Sequence, residues 1–229
     1  MTDVVQPCGV GRVDAWFARP SRSAGSLDPL DAHERDRLRA LVPPTTARAY
    51  AVLHLLARDV LGRVVGCRPA EIVFDRTCAR CGAQHGRPRV IGQPHLHVSL
   101  SRTTDLVAVA VSTTAPVGID VERVAGTRFA GFDAVAMHPS ERSHDLDDRA
   151  RATSWVRKEA ALKSLGAGFV VDPASLTTPR PGVPGLVLTD APPVTVVDVP
   201  LGDSSHVSAL ALAAAYGTVE VTAHDASDD

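Results

Sequence analysis

Apolar residues in the first third of the chain recur at helical spacing over residues 29–42 and about 45–65. This spacing predicts two helices. The short apolar stretch 71–74 predicts a strand. Residues 77–94, rich in Gly, Cys, Arg and Pro, show no period and predict a loop, whose length is typical of a functional segment.

The middle of the chain alternates Val and Ile with small or polar residues in three stretches, 96–101, 105–112 and 117–122. We expect three strands that form a meander. Residues 139–165 return to helical spacing, and Gly166 and Gly168 follow where a helix would end.

The last third predicts strands again, at 183–190, 192–201 and 206–217. The order of helices and strands therefore occurs twice. It predicts an α+β fold of two similar α/β halves, residues 1–115 and 116–229, related by pseudo-twofold symmetry with the active site in the cleft between them. Because both halves lie in one chain, a monomer would suffice.

The composition and net charge of the chain exclude some classes of binding partner. The chain has 229 residues, 45% of them hydrophobic, with a formal net charge of -2 and a pI near 6.5. This charge gives no basic footprint for nucleic acid or an anionic membrane. The first residues do not resemble a secretion signal, and no stretch reaches the roughly 20 apolar residues that span a bilayer. We expect a cytoplasmic protein whose four cysteines are reduced.

Two carboxylates, Asp120 and Glu122, lie two residues apart on the strand predicted at 117–122. Both therefore point to the same face. Neighbouring carboxylates repel each other unless a cation lies between them, and oxygen ligands suit Mg²⁺. The alternative is a solvated, polar strand end, and only a third ligand would separate the two interpretations.

A third carboxylate is available on the helix predicted at 139–165, where Trp155, Glu159 and Lys163 are spaced four apart on one face. An ordinary surface ion pair between Glu159 and Lys163 is the alternative. The Trp155 ring argues that this face is partly covered. Lys158 and Lys163 are also the only lysines among 24 basic residues. Either a G+C-rich coding bias left these two lysines together by chance, or the chemistry there needs a primary ammonium, which is the interpretation we favour.

The stretches Val117-Gly-Ile-Asp-Val-Glu122 and Trp155-Val-Arg-Lys-Glu-Ala-Ala-Leu-Lys163 resemble, at every specified position, the two signature blocks of the Sfp-type 4′-phosphopantetheinyl transferases. His85-Gly-Arg-Pro88 is similar to the stretch of that family that binds coenzyme A. The likeness runs in order from about residue 30 to about residue 175.

This resemblance implies transfer of 4′-phosphopantetheine from coenzyme A to a serine of an acyl or peptidyl carrier protein, as in fatty-acid, polyketide or non-ribosomal peptide assembly. The first half would bind coenzyme A and the second would carry the metal and the signature helix. The implied residues are Asp120, Glu122 and Glu159 for Mg²⁺, Glu159, Lys163 and Lys158 for catalysis, and Arg48, Arg87, Pro88, Ser99, Ser101 and Arg102 for coenzyme A.

Two features depart from a simple match. Leu100 stands where the family commonly has a phosphate-contacting histidine, so Arg102, His97 or Arg89 would replace that contact, or coenzyme A would bind more weakly. Cys78 and Cys81, with His85 four residues on, could form half of a zinc knuckle. A closed zinc site needs four ligands, and the sequence favours a surface turn of reduced thiols.

Two other functions stay open. Three carboxylates and two lysines would also suit another Mg²⁺-dependent phosphoryl or nucleotidyl transferase, although the chain has no phosphate loop of the G-x-x-x-x-G-K-[ST] type. A coenzyme A or carrier-protein binding protein with weak or no transfer activity is the second alternative.

Overall fold

A computed structural model describes residues 9–20, 25–168, 171–185 and 187–226. Its helices and strands, in chain order, are β1 (Val10–Ala18), α1 (Ala32–Ala40), α2 (Pro44–Val65), β2 (Phe74–Asp75), β3 (Arg89–Val90), β4 (His97–Arg102), β5 (Val107–Ser112), β6 (Val117–Arg123), α3 (Phe132–Ala136), α4 (Asp148–Leu165), β7 (Thr195–Asp198), β8 (His206–Leu212) and β9 (Thr218–Asp225). None of the helices in these residues has both the length and the apolar composition needed to cross a bilayer.

The strands form two sheets. One has six strands in the order β2-β3-β4-β5-β1-β9, and the other has three in the order β6-β8-β7. All described pairings are antiparallel except that of β1 with β9. The mixed α+β class expected from the sequence is confirmed.

Three apolar clusters stack these elements in four layers. The first joins α2 to β4 and β5, the second lies between the two sheets, and the third joins α4 to the outer face of the three-stranded sheet. Each long helix thus covers one sheet, and the bare faces of the sheets pack together. The pseudo-twofold relation and the division at residue 115 stay predictions. One strand of the predicted second half, β9, lies in the six-stranded sheet with the strands of the first half.

The predicted meander of three strands is wrong in its last member. β4 and β5 pair as a hairpin, but β6 pairs with β8 in the other sheet. The reason is that both edges of β5 are occupied, one by β4 and one by β1. β6 therefore crosses to the second layer.

The predicted bounds of other elements also differ from the structure, most clearly in three segments. The stretch 71–74 is strand only at Phe74, because residues 69–71 form a single 3₁₀ turn. The segment 183–190 contains no strand within its described residues. The helix predicted at 139–165 begins at Asp148, where the Asp147 side chain accepts a hydrogen bond from the Ala150 N–H (2.7 Å).

The end of α4 was predicted correctly, and its approach to β6 depends on one glycine. Gly166 follows the helix in the left-handed region, with φ of 68°. At Gly118 a Cβ atom would lie only 2.0 Å from the Ala160 carbonyl oxygen. The glycine of the first block therefore lets α4 lie directly against β6, which brings Glu159 and Lys163 beside Asp120.

Candidate functional site

The site begins with two serines of β4 that bond to the edge of β6. The Ser99 hydroxyl accepts from the Ile119 N–H (3.0 Å), and the Ser101 hydroxyl accepts from the Val121 N–H (3.2 Å). Ser101 also donates to the Asp120 carboxylate (2.7 Å). Both serines are buried, so in this structure their hydroxyls join the two sheets.

Of the three predicted carboxylate ligands, Asp120 accepts the most hydrogen bonds in the described residues. Besides Ser101, its Oδ1 accepts from Lys163 Nζ at 2.7 Å. The same ammonium donates to the Ile119 carbonyl (3.1 Å) and to the Leu100 carbonyl (3.4 Å). Lys163 therefore ties the helix, β4 and β6 together at one point and supplies one positive charge to the carboxylates.

Glu159 is half-buried, and its carboxylate has no hydrogen-bond or ion-pair partner among the described residues. Burial, followed by repulsion from Asp120, raises its pKa to about 7, although Lys163 opposes the shift. Burial also raises the pKa of Glu122, and repulsion from Asp120 adds to it. In the described part of the chain, the Glu122 carboxylate accepts a hydrogen bond only from the Arg123 N–H (2.8 Å). One ammonium thus faces three carboxylates.

This donor set fits a divalent cation. Its oxygens are the hard ligands that Mg²⁺ prefers, and the raised pKa of Glu159 shows that the fold supplies too little positive charge of its own. The three carboxylates do not converge to within 4.8 Å of one another in the described residues. The reason is visible, because Asp120 is drawn to Lys163 and Glu122 to the backbone of Arg123.

Lys158 is not brought to these carboxylates. It is fully buried, and its ammonium contacts Glu141 (3.0 Å) and the carbonyls of Ala136 (2.9 Å) and Pro173 (3.2 Å). Its contacts lock α4 to the segments before and after it. The predicted assisting role for Lys158 stays a prediction, with no contact that favours it.

Trp155 lies one turn before Glu159 and is half-buried, as its place in the pattern predicts. Its ring packs edge-on against Phe132 of α3, with centroids 6.2 Å apart. Ala136, Met137 and Leu146 belong to the same small cluster. The α4 face that carries Trp155 is therefore covered by α3, a helix that the sequence did not predict.

Apart from Ser99 and Ser101, which join the two sheets, the residues predicted to bind coenzyme A fall into two groups. Arg87, Arg89 and His97 line one cavity of about 400 Å³, and Pro88 lies between the two arginines in sequence. Arg48 lies on α2, and the Arg102 guanidinium lies 5.9 Å from the ring of Tyr50, also on α2. His97 and Arg102 begin and end β4, so the groups are separated by about 16 Å of extended chain.

Arg87 connects the cavity to the signature helix. Its guanidinium donates to the Ser164 carbonyl (3.2 Å), at the carbonyl end of α4, where the helix dipole favours a cation. Burial lowers the pKa of Arg87, and the nearby Arg89 lowers it further. Leu100 packs against the apolar cluster on the α2 side, so a histidine there would not face this cavity.

Comparison with protein families adds one finding. Residues 116–209 match the 4′-phosphopantetheinyl transferase superfamily. This stretch, less than half of the chain, contains β6, α4 and all three carboxylates, and it supports a transferase. A search of curated proteins found no significant match to the chain.

Proposed function

We propose that this protein transfers 4′-phosphopantetheine from coenzyme A to a serine hydroxyl of an acyl or peptidyl carrier protein, with Asp120, Glu122 and Glu159 as ligands of Mg²⁺. The observation that carries the proposal is the group of three carboxylates with a single ammonium, formed by the two signature blocks of a superfamily match. The Sfp-type subfamily is part of this proposal.

In the proposed reaction the serine oxygen forms a bond to the β-phosphorus of coenzyme A, the bond to 3′,5′-ADP breaks, and the serine proton leaves with a base. When bound, Mg²⁺ would neutralise charge on the pyrophosphate oxygens. Glu159 is the candidate base, directly or through a water, because it lies on α4 beside Asp120 and Lys163 and its carboxylate has no hydrogen-bond partner of its own among the described residues.

Lys163 holds the Asp120 carboxylate in place through the 2.7 Å contact. In the proposal it also neutralises the pyrophosphate or protonates the leaving group, which would require it to exchange one of its carbonyl contacts for a phosphate oxygen. Arg87, Arg89 and His97 form the side of the site that would hold the nucleotide phosphates. Leu100 lies on the α2 side of β4, and the Arg102 guanidinium lies on that side too, near Tyr50, so Arg102 is the candidate to replace the contact absent at Leu100.

The direct test is mass spectrometry of apo carrier proteins incubated with this protein, coenzyme A and Mg²⁺. Addition of one phosphopantetheine group to the carrier is the expected result. No mass gain with acyl and peptidyl carriers from all three kinds of assembly, while calorimetry shows that coenzyme A binds, would favour the binding-only alternative instead.

A further inference from the structure

Three soft ligands converge in the loop between β2 and β3, outside the carboxylate site. Cys78, Cys81 and His85 each place one sulfur or nitrogen atom so that all three lie within 4.8 Å of one another. Cys81 Sγ and His85 Nε2 are 3.0 Å apart. No other group of three His, Cys, Asp or Glu side chains converges this tightly in the residues that the structure describes.

The turn that carries the two cysteines places both sulfur atoms on the same side. The Gly82 N–H donates to the Cys78 carbonyl (2.8 Å), and the Cys78 N–H donates to the Ala83 carbonyl (2.8 Å). Gly82 has φ of 74°, in the left-handed region that favours glycine. The turn thus closes on itself without help from the cysteine side chains.

We propose that Cys78, Cys81 and His85 bind one zinc ion. Thiolate and imidazole are the ligands typical of zinc sites, and both cysteines are free thiols. Three protein ligands leave a fourth position for water or an added ligand. Cys81 and His85 are exposed, so the ion can enter from solvent.

The site would fix the chain that leads into Arg87. The Gly86 N–H donates to the Arg76 carbonyl (2.6 Å). A Cβ on Gly86 would lie 2.7 Å from the Thr77 carbonyl oxygen. The chain therefore leaves the ligand turn in one direction, toward the contact of Arg87 with α4. This consequence for coenzyme A rests on the proposed function, whereas the zinc site does not.

Metal binding by the full-length, tag-free chain tests the site. The protein is stripped with a chelator under reducing conditions and titrated with Zn²⁺ against a chromophoric competitor, and Co²⁺ is added in parallel to detect thiolate coordination by absorption. We expect one zinc per chain and a thiolate-to-cobalt band. Removal of an outer partner of a metal ligand alone costs about 10–100-fold in affinity, so Cys78→Ser, Cys81→Ser and His85→Ala should each cost about 100-fold or more.

Two matched controls separate this site from others. Cys67→Ser removes a half-buried thiol outside the cluster and should keep full zinc binding. Glu159→Gln should keep it as well, because the carboxylates form a different site. Three results would overturn the proposal. The original chain binds no zinc, binding survives in both Cys78→Ser and Cys81→Ser, or binding is lost in Cys67→Ser.

Hydrogen exchange over residues 76–88 and the KM for coenzyme A test the consequence for Arg87. Zinc should slow exchange there in the original chain but not in Cys81→Ser, and its removal should raise KM more than it lowers kcat. Slower exchange with an unchanged KM would refute the link to coenzyme A and leave the zinc site standing. Absence of transfer in zinc-loaded protein that binds one ion would refute the proposed function alone.

Discussion

Two regions of buried or half-buried charge, among the residues that the structure describes, differ in how that charge is balanced. In the first, which we call the α1–α2 cluster, two carboxylates meet two guanidinium groups and a histidine: Asp31, Glu34, His54, Arg58 and Arg76. In the second, the β6–α4 cluster, three carboxylates share one ammonium: Asp120, Glu122, Glu159 and Lys163.

Burial alone would raise the pKa of Glu34 and of Glu159, but only Glu159 shows a rise. Hydrogen bonds from His54 and Arg58 outweigh burial at Glu34 and lower its pKa to about 2. Glu159 has no such donors in the residues that the structure describes, and repulsion from Asp120 adds to burial, so its pKa rises to about 7. The direction of the shift thus reports whether the fold supplies the counter-charge itself.

The comparison separates a structural role from a functional one. The α1–α2 cluster supplies its own counter-charge. Arg58 is fully buried, and its guanidinium donates hydrogen bonds to Glu34, Asp31 and the Ile72 carbonyl. The β6–α4 cluster lacks two positive charges, which is the charge of one Mg²⁺. This deficit favours the proposed metal site.

The largest effect is expected from breaking the balanced cluster with Glu34→Gln. Removal of one partner leaves Arg58 and Arg76 buried with less counter-charge, and we expect the free energy of unfolding to fall by about 3–5 kcal/mol. Urea denaturation measures it. Glu71→Gln, at an exposed ion pair with Arg68, is the control and should change the free energy of unfolding far less, because exposed ion pairs contribute little to stability. Equal losses in the two variants would contradict a structural role for the balance.

The opposite outcome is expected from Glu159→Gln. Transfer should fall at least about 100-fold because a metal ligand and base are lost. The free energy of unfolding should not fall, since this carboxylate makes no hydrogen bond that the amide would lose. The carrier mass assay and urea denaturation measure the two quantities. Glu220→Gln on β9, whose carboxylate is exposed, should leave both unchanged, and near-normal transfer by Glu159→Gln would remove this residue from the site.

Much of the β6–α4 cluster could be predicted from sequence because its signals are local. Alternation placed Asp120 and Glu122 on one face of a strand, and four-residue spacing placed Glu159 and Lys163 on one face of a helix. That α4 lies against β6 depends on Gly118, whose need for close approach appears only when the two elements meet.

The rest depended on contacts between distant segments. β1 and β9 alternate in burial, and Val13, Ala15 and Phe17 give a readable signal, but their parallel pairing joins residues about 200 apart. Without β1, the second edge of β5 seemed free, which led to the wrong meander. The inward turn of Ser99 and Ser101 also follows from the presence of β6 beneath β4.

The balanced cluster should also fail in acid. The pKa of Glu34 is lower in the folded than in the unfolded chain, so the unfolded state binds more protons as pH falls from about 4.5 toward 2, and the contribution to stability is lost in that window. Between pH 6 and pH 3 we expect a loss of about 2 kcal/mol from this group. The difference between the original chain and Glu34→Gln, measured by urea denaturation at both pH values, isolates it. A difference that does not shrink in acid would contradict the assignment.

The smallest expected effect is the stabilisation of the folded chain by Mg²⁺. Its size in variants of each cluster compares the two regions directly. An ion that binds only the folded chain stabilises it by about 1.4 kcal/mol at ten times its Kd, and the original chain and Glu34→Gln should gain equally, because the α1–α2 cluster needs no added charge. Glu159→Gln should gain much less. Urea denaturation with Mg²⁺ or with a chelator measures the gain. If Glu159→Gln gains as much as the original chain, the missing charge of the β6–α4 cluster is not where the ion binds.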